Sequence, residues 1–286
     1  MTDILPFDGE KKRIKERFDE IAHSFNEAAF LSQEIAERIL QRLEFIRIQP
    51  IRILDLGSGT GILSNELKKV FPSAEIVALD FSENMLRQNV SSWKTCGDAE
   101  QMPFQDQRSD LVISNLMLHW SQNLFGLSEE IHRVLKPQGL FMFSMLGADT
   151  LTEMHHAWRS VDNNAHVNDF VDMHDMGDCL LQVGMADPVM DMEHIVLTYK
   201  TMDRLFEDMH FSGSILLHEN RSSGLITPRQ LERFKQAYEL LRDNDGRLPV
   251  TVEMIYGHAW KNELNNRGVS ENGVVKVGIP SLNARV

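Results

Sequence analysis

Residues 51–71 read in order as a strand (IRILDL), a bare loop (GSGTG) and a helix (ILSNELKKVF). This order constrains the fold more than any other feature of the chain. A short β-branched and leucine-rich run that passes through glycines into a helix must cross over before the chain can form its next strand. The same alternation then repeats. Residues 74–80 (AEIVALD) read as a second strand, and 82–92 as a helix with Ser82 as its N-cap. A short strand and loop follow at 93–100, then a strong strand at 109–116, a helix at 124–136 and another strong strand at 139–146. Right-handed crossovers of this kind give a mainly parallel sheet covered by helices on both faces. The predicted class is α/β, a Rossmann-like, doubly wound sheet of seven strands.

The flanks complete that plan. Residues 10–47 read as helical, with Phe18, Ile21, Phe25, Leu31, Ile35, Ile39 and Leu43 at helical spacing and Pro50 as the stop. Residues 174–185 read as one more sheet-covering helix, and 187–199 as a strand or strand pair. Residues 201–243 read as helical with an interrupting loop, and 248–261 as the last strand. The expected organisation is a helical lead-in over 1–50, a cofactor-binding core over 51–200 and a helical lid insertion over 201–245. A final strand over 246–261 then completes the sheet, and 262–286 form a flexible tail. The methionines at 142, 145, 173, 176, 185, 190 and 192 read as core filling.

Composition narrows the partners. The formal net charge of −13 over 286 residues would repel nucleic acid phosphates at long range. No apolar stretch approaches a membrane span, and the N-terminus lacks the order of a signal or transit peptide. Cys96 and Cys179 have no metal-ligand spacing and form no disulfide framework. These features lead us to expect a cytoplasmic protein without a bound metal.

The glycine loop can be a turn, a dinucleotide cradle or a phosphate site. No Gly-Lys-Ser/Thr follows, so the lysine of a P-loop is missing. The spacing is Gly-x-Gly-x-Gly, whereas dinucleotide sites normally use Gly-x-Gly-x-x-Gly. Asp55 closes the first strand, a carboxylate better matched to a cation than to a pyrophosphate. Asp80 closes the second, 19 residues after Gly61, where it can accept both hydroxyls of a ribose. Asp98 follows in the third loop, within the reach expected for an adenine amino group. A nucleoside carrying an amino acid and no phosphates fits this pattern.

LDLGSGTG, ALD, GDAEQMPF and DLVISNLMLHW, four motifs in order, resemble those of the class I S-adenosylmethionine-dependent methyltransferases. The resemblance implies that Asp55, Gly57, Ser58, Gly59 and Gly61 hold the methionine part of the cofactor and Asp80 its ribose. Phe81 and Met85 would sandwich the adenine, with Asp98 and Ala99 at its amino edge. Asn115, Leu116 and His119 would border the sulfonium. His119 and Trp120 equally suit a packed core, and helix core is the lesser reading of Met85.

Outside the core, IKERFDEIAHSFNEAAFLSQEIAERIL, LGADTLTEMHHAWRSVDNNAHVNDF, LLHENRSSGLITPRQL and GRLPVTVEMIYGHAWK resemble the malonyl-acyl-carrier-protein carboxyl O-methyltransferases of biotin biosynthesis (the BioC family). That resemblance covers residues 11–261. It implies methyl transfer to the free carboxylate of malonyl-acyl carrier protein, with the homocysteine form of the cofactor as by-product. Arg221 is the expected cation for the carboxylate, with His218, His166 and Trp120 as further substrate contacts and Phe25 near the reacting groups; His166 equally suits a structural link between lid and core. Phe25 departs from the family, which commonly has Tyr there. The carrier is acidic, so docking needs a local basic surface. Lys11, Lys12, Arg13, Lys15 and Arg17 form one candidate; Arg229, Arg233, Lys235 and Arg242 form another. Two alternatives use the same scaffold. Complex I assembly proteins with a methyltransferase-like domain also resemble this chain, and a small-metabolite methyltransferase would share its core.

Overall fold

A computed structural model describes residues 9–164, 166–211 and 226–262. The chain opens with three helices, α1 (Gly9–Ile21), α2 (Phe25–Ala28) and α3 (Phe30–Leu43). β1 (Arg52–Leu56), α4 (Ile62–Val70), β2 (Glu75–Asp80), α5 (Glu83–Gln88) and β3 (Trp93–Cys96) follow. Then come β4 (Ser109–Asn115), α6 (Leu124–Val134), β5 (Leu135–Leu146), α7 (Thr152–Arg159), α8 (Met173–Gln182) and β6 (Met185–Tyr199). The last elements are α9 (Met202–Phe211), α10 (Pro228–Glu239) and β7 (Leu248–Lys261). The seven strands form one sheet in the order 3-2-1-4-5-7-6. β1 to β5 are parallel, and β7 runs antiparallel to both β5 and β6.

Both faces of the central strands are buried, which explains their nearly continuous apolar runs. Alternate residues serve opposite faces. Ile53, Leu111, Ile113, Leu140 and Met142 pack under Ile39 and Leu43 of α3 and Leu63 and Leu67 of α4. Leu54, Leu56, Val112, Phe141 and Phe143 face Leu127 and Ile131 of α6 and Met176 and Leu180 of α8. A further cluster carries the late helices: Trp158 of α7, Leu205 of α9 and Phe234 and Tyr238 of α10 close over Val250, Val252 and Met254 of β7.

Several boundaries differ from the sequence reading. The lead-in is broken at residues 22–24, where Ser24 donates both its N–H and its hydroxyl to the Ile21 carbonyl. The bend lets Phe18 and Phe25 reach the same cavity from different helices. α6 stops at Val134 and the chain pairs at once with the start of β4, held by a Lys136–Asp110 ion pair of 2.7 Å. Residues 185–199 form one strand, interrupted in register between Ala186 and Val189. Pro188 lies there and has no N–H to give the ladder. Residues 152–159 form a helix that hydrophobic periodicity did not reveal. Of the methionines read as core, Met142, Met145, Met176 and Met185 are buried, whereas Met192 on the edge strand is exposed.

Candidate active site

β1 lies between β2 and β4, so the strand order reverses there, and crossovers leave a cleft at the carboxyl ends of these strands. A cavity opens at that place. Gly57, at φ +70°, turns the chain out of β1; a Cβ on it would lie 2.2 Å from Cγ of Met117. Gly59, at φ +51°, would direct a Cβ into open space with nothing within 4 Å. The loop backbone is therefore bare on the side where a ligand would approach. Gly61 does not line the cavity. It is the N-cap of α4 in a left-handed conformation, and its missing side chain makes room for Asn89.

Two buried carboxylates face this space. Asp55 is 1% exposed and accepts a hydrogen bond from the Ser64 hydroxyl. Burial pushes its pKa up to about 7, and the neighbouring Asp80 adds to the rise. Asp80 accepts backbone N–H bonds from Gly59 and Ser82, each 2.8 Å. Burial outweighs those donors and lifts its pKa to about 6. Among the described residues neither carboxylate is bonded to a cation. Buried acids in this condition fit a ligand that brings positive charge to Asp55 and hydroxyl donors to Asp80.

The rest of the lining is mostly apolar or aromatic. Phe81 and Met85 lie on the wall beyond Asp80, and Asp98 and Ala99 on the next loop. Phe18 meets Trp120 edge-on at 5.5 Å and lies 6.2 Å from Phe81. Asn115 is anchored, donating to the Ser32 carbonyl and accepting from the Ser144 hydroxyl. Leu116 takes a left-handed φ of +57°, and its N–H bonds the Ser144 carbonyl at 3.1 Å. This turn presents His119 to the cavity between Trp120 and Phe170. Burial pushes the His119 pKa down to about 3, so the ring is neutral. The Leu146 N–H reaches Nδ1 at 3.4 Å, which leaves the ring proton on Nε2 as a donor.

The structure thus brings Phe25, Asp55, Gly57, Ser58, Gly59, Asp80, Phe81, Met85, Asp98, Ala99, Asn115, Leu116, His119 and Trp120 around one cavity. It does not bring His166 there. The His166 ring stacks on Trp158 at 3.9 Å, and Trp158 stacks on Phe234 at 4.4 Å. Its Nε2 bonds Asp162, which also accepts from Gln230 of α10. His166 ties the segment after α7 to α10, which agrees with its reading as a structural link and not with the substrate contact. His218 and Arg221 lie outside the described residues.

Sequence reasoning missed three participants. Lys11 enters the cavity lining and bonds Asp98 and Glu100. Asn26 accepts from the Thr60 hydroxyl at 2.6 Å, fastening α2 to the glycine loop. Asn89 donates to Ser58 and to the Gly59 carbonyl. The first basic stretch is also less available than expected. Lys11 points inward, Lys15 pairs with Asp19 and Arg17 with Glu20. In the second, Arg242 is paired with Glu239, while Arg229 and Arg233 are exposed at the start of α10.

Residues 54–143 match a family described as "Methyltransferase domain". The chain is 41% identical over 265 residues to malonyl-[acyl-carrier protein] O-methyltransferase of Gallionella capsiferriformans, covering 88% of this chain and 91% of that one. Proteins of the same name from Laribacter hongkongensis (38%, covering 92% and 94%) and Halorhodospira halophila (36%, covering 96% of each) are similar end to end. Among solved structures, a SAM-dependent methyltransferase from Thermotoga maritima aligns with a TM-score of 0.52 at 15% identity, covering 87% of this chain and 100% of that one. The [4+2]-cyclase SpnF aligns with a TM-score of 0.51 at 14% identity, covering 80% of each chain. A cyclase on the same fold means that the fold alone does not specify the reaction.

Proposed function

Because the chain belongs to the family of malonyl-[acyl-carrier protein] O-methyltransferases, we propose that it transfers a methyl group from S-adenosylmethionine to the free carboxylate of malonyl-acyl carrier protein. The product is the malonyl methyl ester used as a primer in biotin synthesis. The observation that carries the reading is the pair of buried carboxylates, Asp55 and Asp80, without a cation partner among the described residues, beside a bare glycine loop at the strand-order reversal. Similarity over the whole chain, flanks included, supports this acceptor over an assembly role or a small-metabolite acceptor.

In this reading Asp55 holds the donor's ammonium and Asp80 the ribose hydroxyls. Asp98 receives the adenine amino group, with Phe81 and Met85 on the faces of the base. The bound donor supplies an electrophilic methyl group on a sulfonium. The acceptor carboxylate is ionised at neutral pH, so no residue has to remove a proton. The protein's contribution is alignment and exclusion of water. His119 is suited to alignment, because a neutral N–H can hold one carboxylate oxygen without the strong ion pairing that would blunt the attacking one. Phe25 and Trp120 form apolar walls. Phe25 brings no hydroxyl, so placement of the acceptor falls to other groups, with Arg221 as the proposed cation. Arg229 and Arg233 are the proposed docking contacts for the acidic carrier.

The test is incubation with S-adenosylmethionine and malonyl-acyl carrier protein, read by intact mass. A gain of one methyl on the malonyl form, with none on the acetyl form that lacks the carboxylate, is expected. Methylation of both forms, or of neither, would defeat the assignment.

A further inference from the structure

We propose that Lys11 is a positioning residue for both sides of the reaction: through Asp98 it sets how long the methyl donor stays, and through Glu100 it holds the acceptor-side loop. The proposal rests on the reading of the cavity as the donor site.

Lys11 lies in the first turns of α1, yet its ammonium reaches Asp98 at 2.8 Å and Glu100 at 2.6 Å, 87 and 89 residues along the chain. The side chains of Lys11 and Glu100 are each 14% exposed, so this is not a solvated surface pair. All three residues line the cavity. Burial works against the charge on Lys11, but the bonds to the two carboxylates outweigh it and its pKa is raised.

Glu100 is the centre of the arrangement. One oxygen accepts from Lys11; the other accepts from the Ser121 hydroxyl at 2.8 Å, the Gln122 N–H at 2.9 Å and the Asn123 N–H at 3.3 Å. Those residues directly follow His119 and Trp120. A single ammonium therefore joins Asp98, at the proposed adenine edge, to the loop that presents the acceptor-side ring donor.

The far end of α1 is fixed separately. Asp19 accepts from the Ser82 hydroxyl at 2.6 Å and the Asn84 N–H at 3.2 Å, and the Asn84 side chain donates to the Asp19 carbonyl at 3.1 Å. Phe18 covers the cavity between these anchors. Loss of the Lys11 charge leaves Asp98 and Glu100 as two uncompensated carboxylates and frees one end of the covering helix.

The experiment measures release of S-adenosylhomocysteine by stopped-flow displacement, together with KM and kcat for the malonyl carrier. Lys11→Met keeps the chain length and removes the charge. It should speed release about tenfold or more, with association within about twofold of wild type, and raise the acceptor KM more than it lowers kcat. Lys11→Arg can keep both pairs and should stay within about threefold of wild type in release rate. Glu100→Gln should raise the acceptor KM more than it speeds release. A release rate unchanged in Lys11→Met, or equally fast in Lys11→Arg and Lys11→Met, would overturn the proposal. Should Lys11→Met not fold, Glu100→Gln decides, and wild-type values for both quantities there would overturn it. A wild-type protein that does not bind S-adenosylhomocysteine defeats the donor-site reading itself. Binding by wild type with unaltered release in the variants defeats this inference alone.

Discussion

Replacing Asp55 with Asn should raise the melting temperature of the empty protein while weakening S-adenosylmethionine binding by about a hundredfold or more. The two effects have one cause. The Asp55 carboxyl has a pKa of about 7 in the folded protein because it is buried, against about 3.9 in an unfolded chain. Between those values the folded state binds more protons than the unfolded state, so stability falls as pH rises through the window. Above pH 7 the ionised group costs the fold on the order of 2–4 kcal/mol. Asn keeps an acceptor for the Ser64 hydroxyl and removes that cost, worth roughly 5–10 °C for a chain of this size. The same change removes the partner of the donor's ammonium. In wild type, donor affinity should fall as pH drops below about 7, because Asp55 must then lose a proton to pair; in Asp55→Asn that step near pH 7 should be lost, leaving the dependence that Asp80 contributes near pH 6. Titration calorimetry across pH 6–8 with thermal melts measures both. An empty-protein melting temperature lowered by the substitution would contradict the reading of Asp55 as a buried acid awaiting a cation.

Gly57→Ala should be more damaging than its size suggests. The new Cβ would sit 2.2 Å from Cγ and 2.5 Å from Cβ of Met117, a Cβ that no side-chain rotation can move away, and the residue would be held at φ +70°. Left-handed strain and overpacking together should cost about 2–4 kcal/mol, or roughly 5–10 °C. Met117 precedes the turn that carries His119 and Trp120, so methyl transfer should fall as well. Gly59→Ala is the contrasting case. Its Cβ meets nothing within 4 Å, so the stability loss should be about 1 kcal/mol while the methyl group intrudes on the donor's space. Melting curves beside donor titrations separate the two. Equal stability losses would mean that the loop is shaped by the ligand cavity rather than by Met117.

The parallel core was legible because its information is local. Strand runs buried on both faces, the glycine loop and the Ser82 cap, which accepts from the Met85 N–H, are all written in consecutive residues. So were Asp55, one residue before the end of its strand, and Asp80, which ends its own. The break between α1 and α2 was not legible, since apolar residues continue at helical spacing from Phe18 through Phe25 and only packing against the cavity decides where the helix bends. Lys11 was hidden for a similar reason. In GEKKRIKERF it looks like one of several solvated cations, and its partners are nearly ninety residues away. His166 shows a different limit: the resemblance left a substrate contact and a structural link equally open, and only the aromatic stack and the Asp162 bond, made by distant residues, favour the link.

No helix among the described residues is long and apolar enough to cross a membrane. In the proposed reaction the malonyl carboxylate oxygen receives the methyl group. The most direct measurement gives the protein S-adenosylmethionine with an isotopically labelled methyl group and malonyl-acyl carrier protein, isolates the carrier, and treats it with mild base. A methyl ester should release the label as methanol. Label that stays on the malonyl carbon or on the carrier polypeptide after hydrolysis would contradict carboxyl methylation.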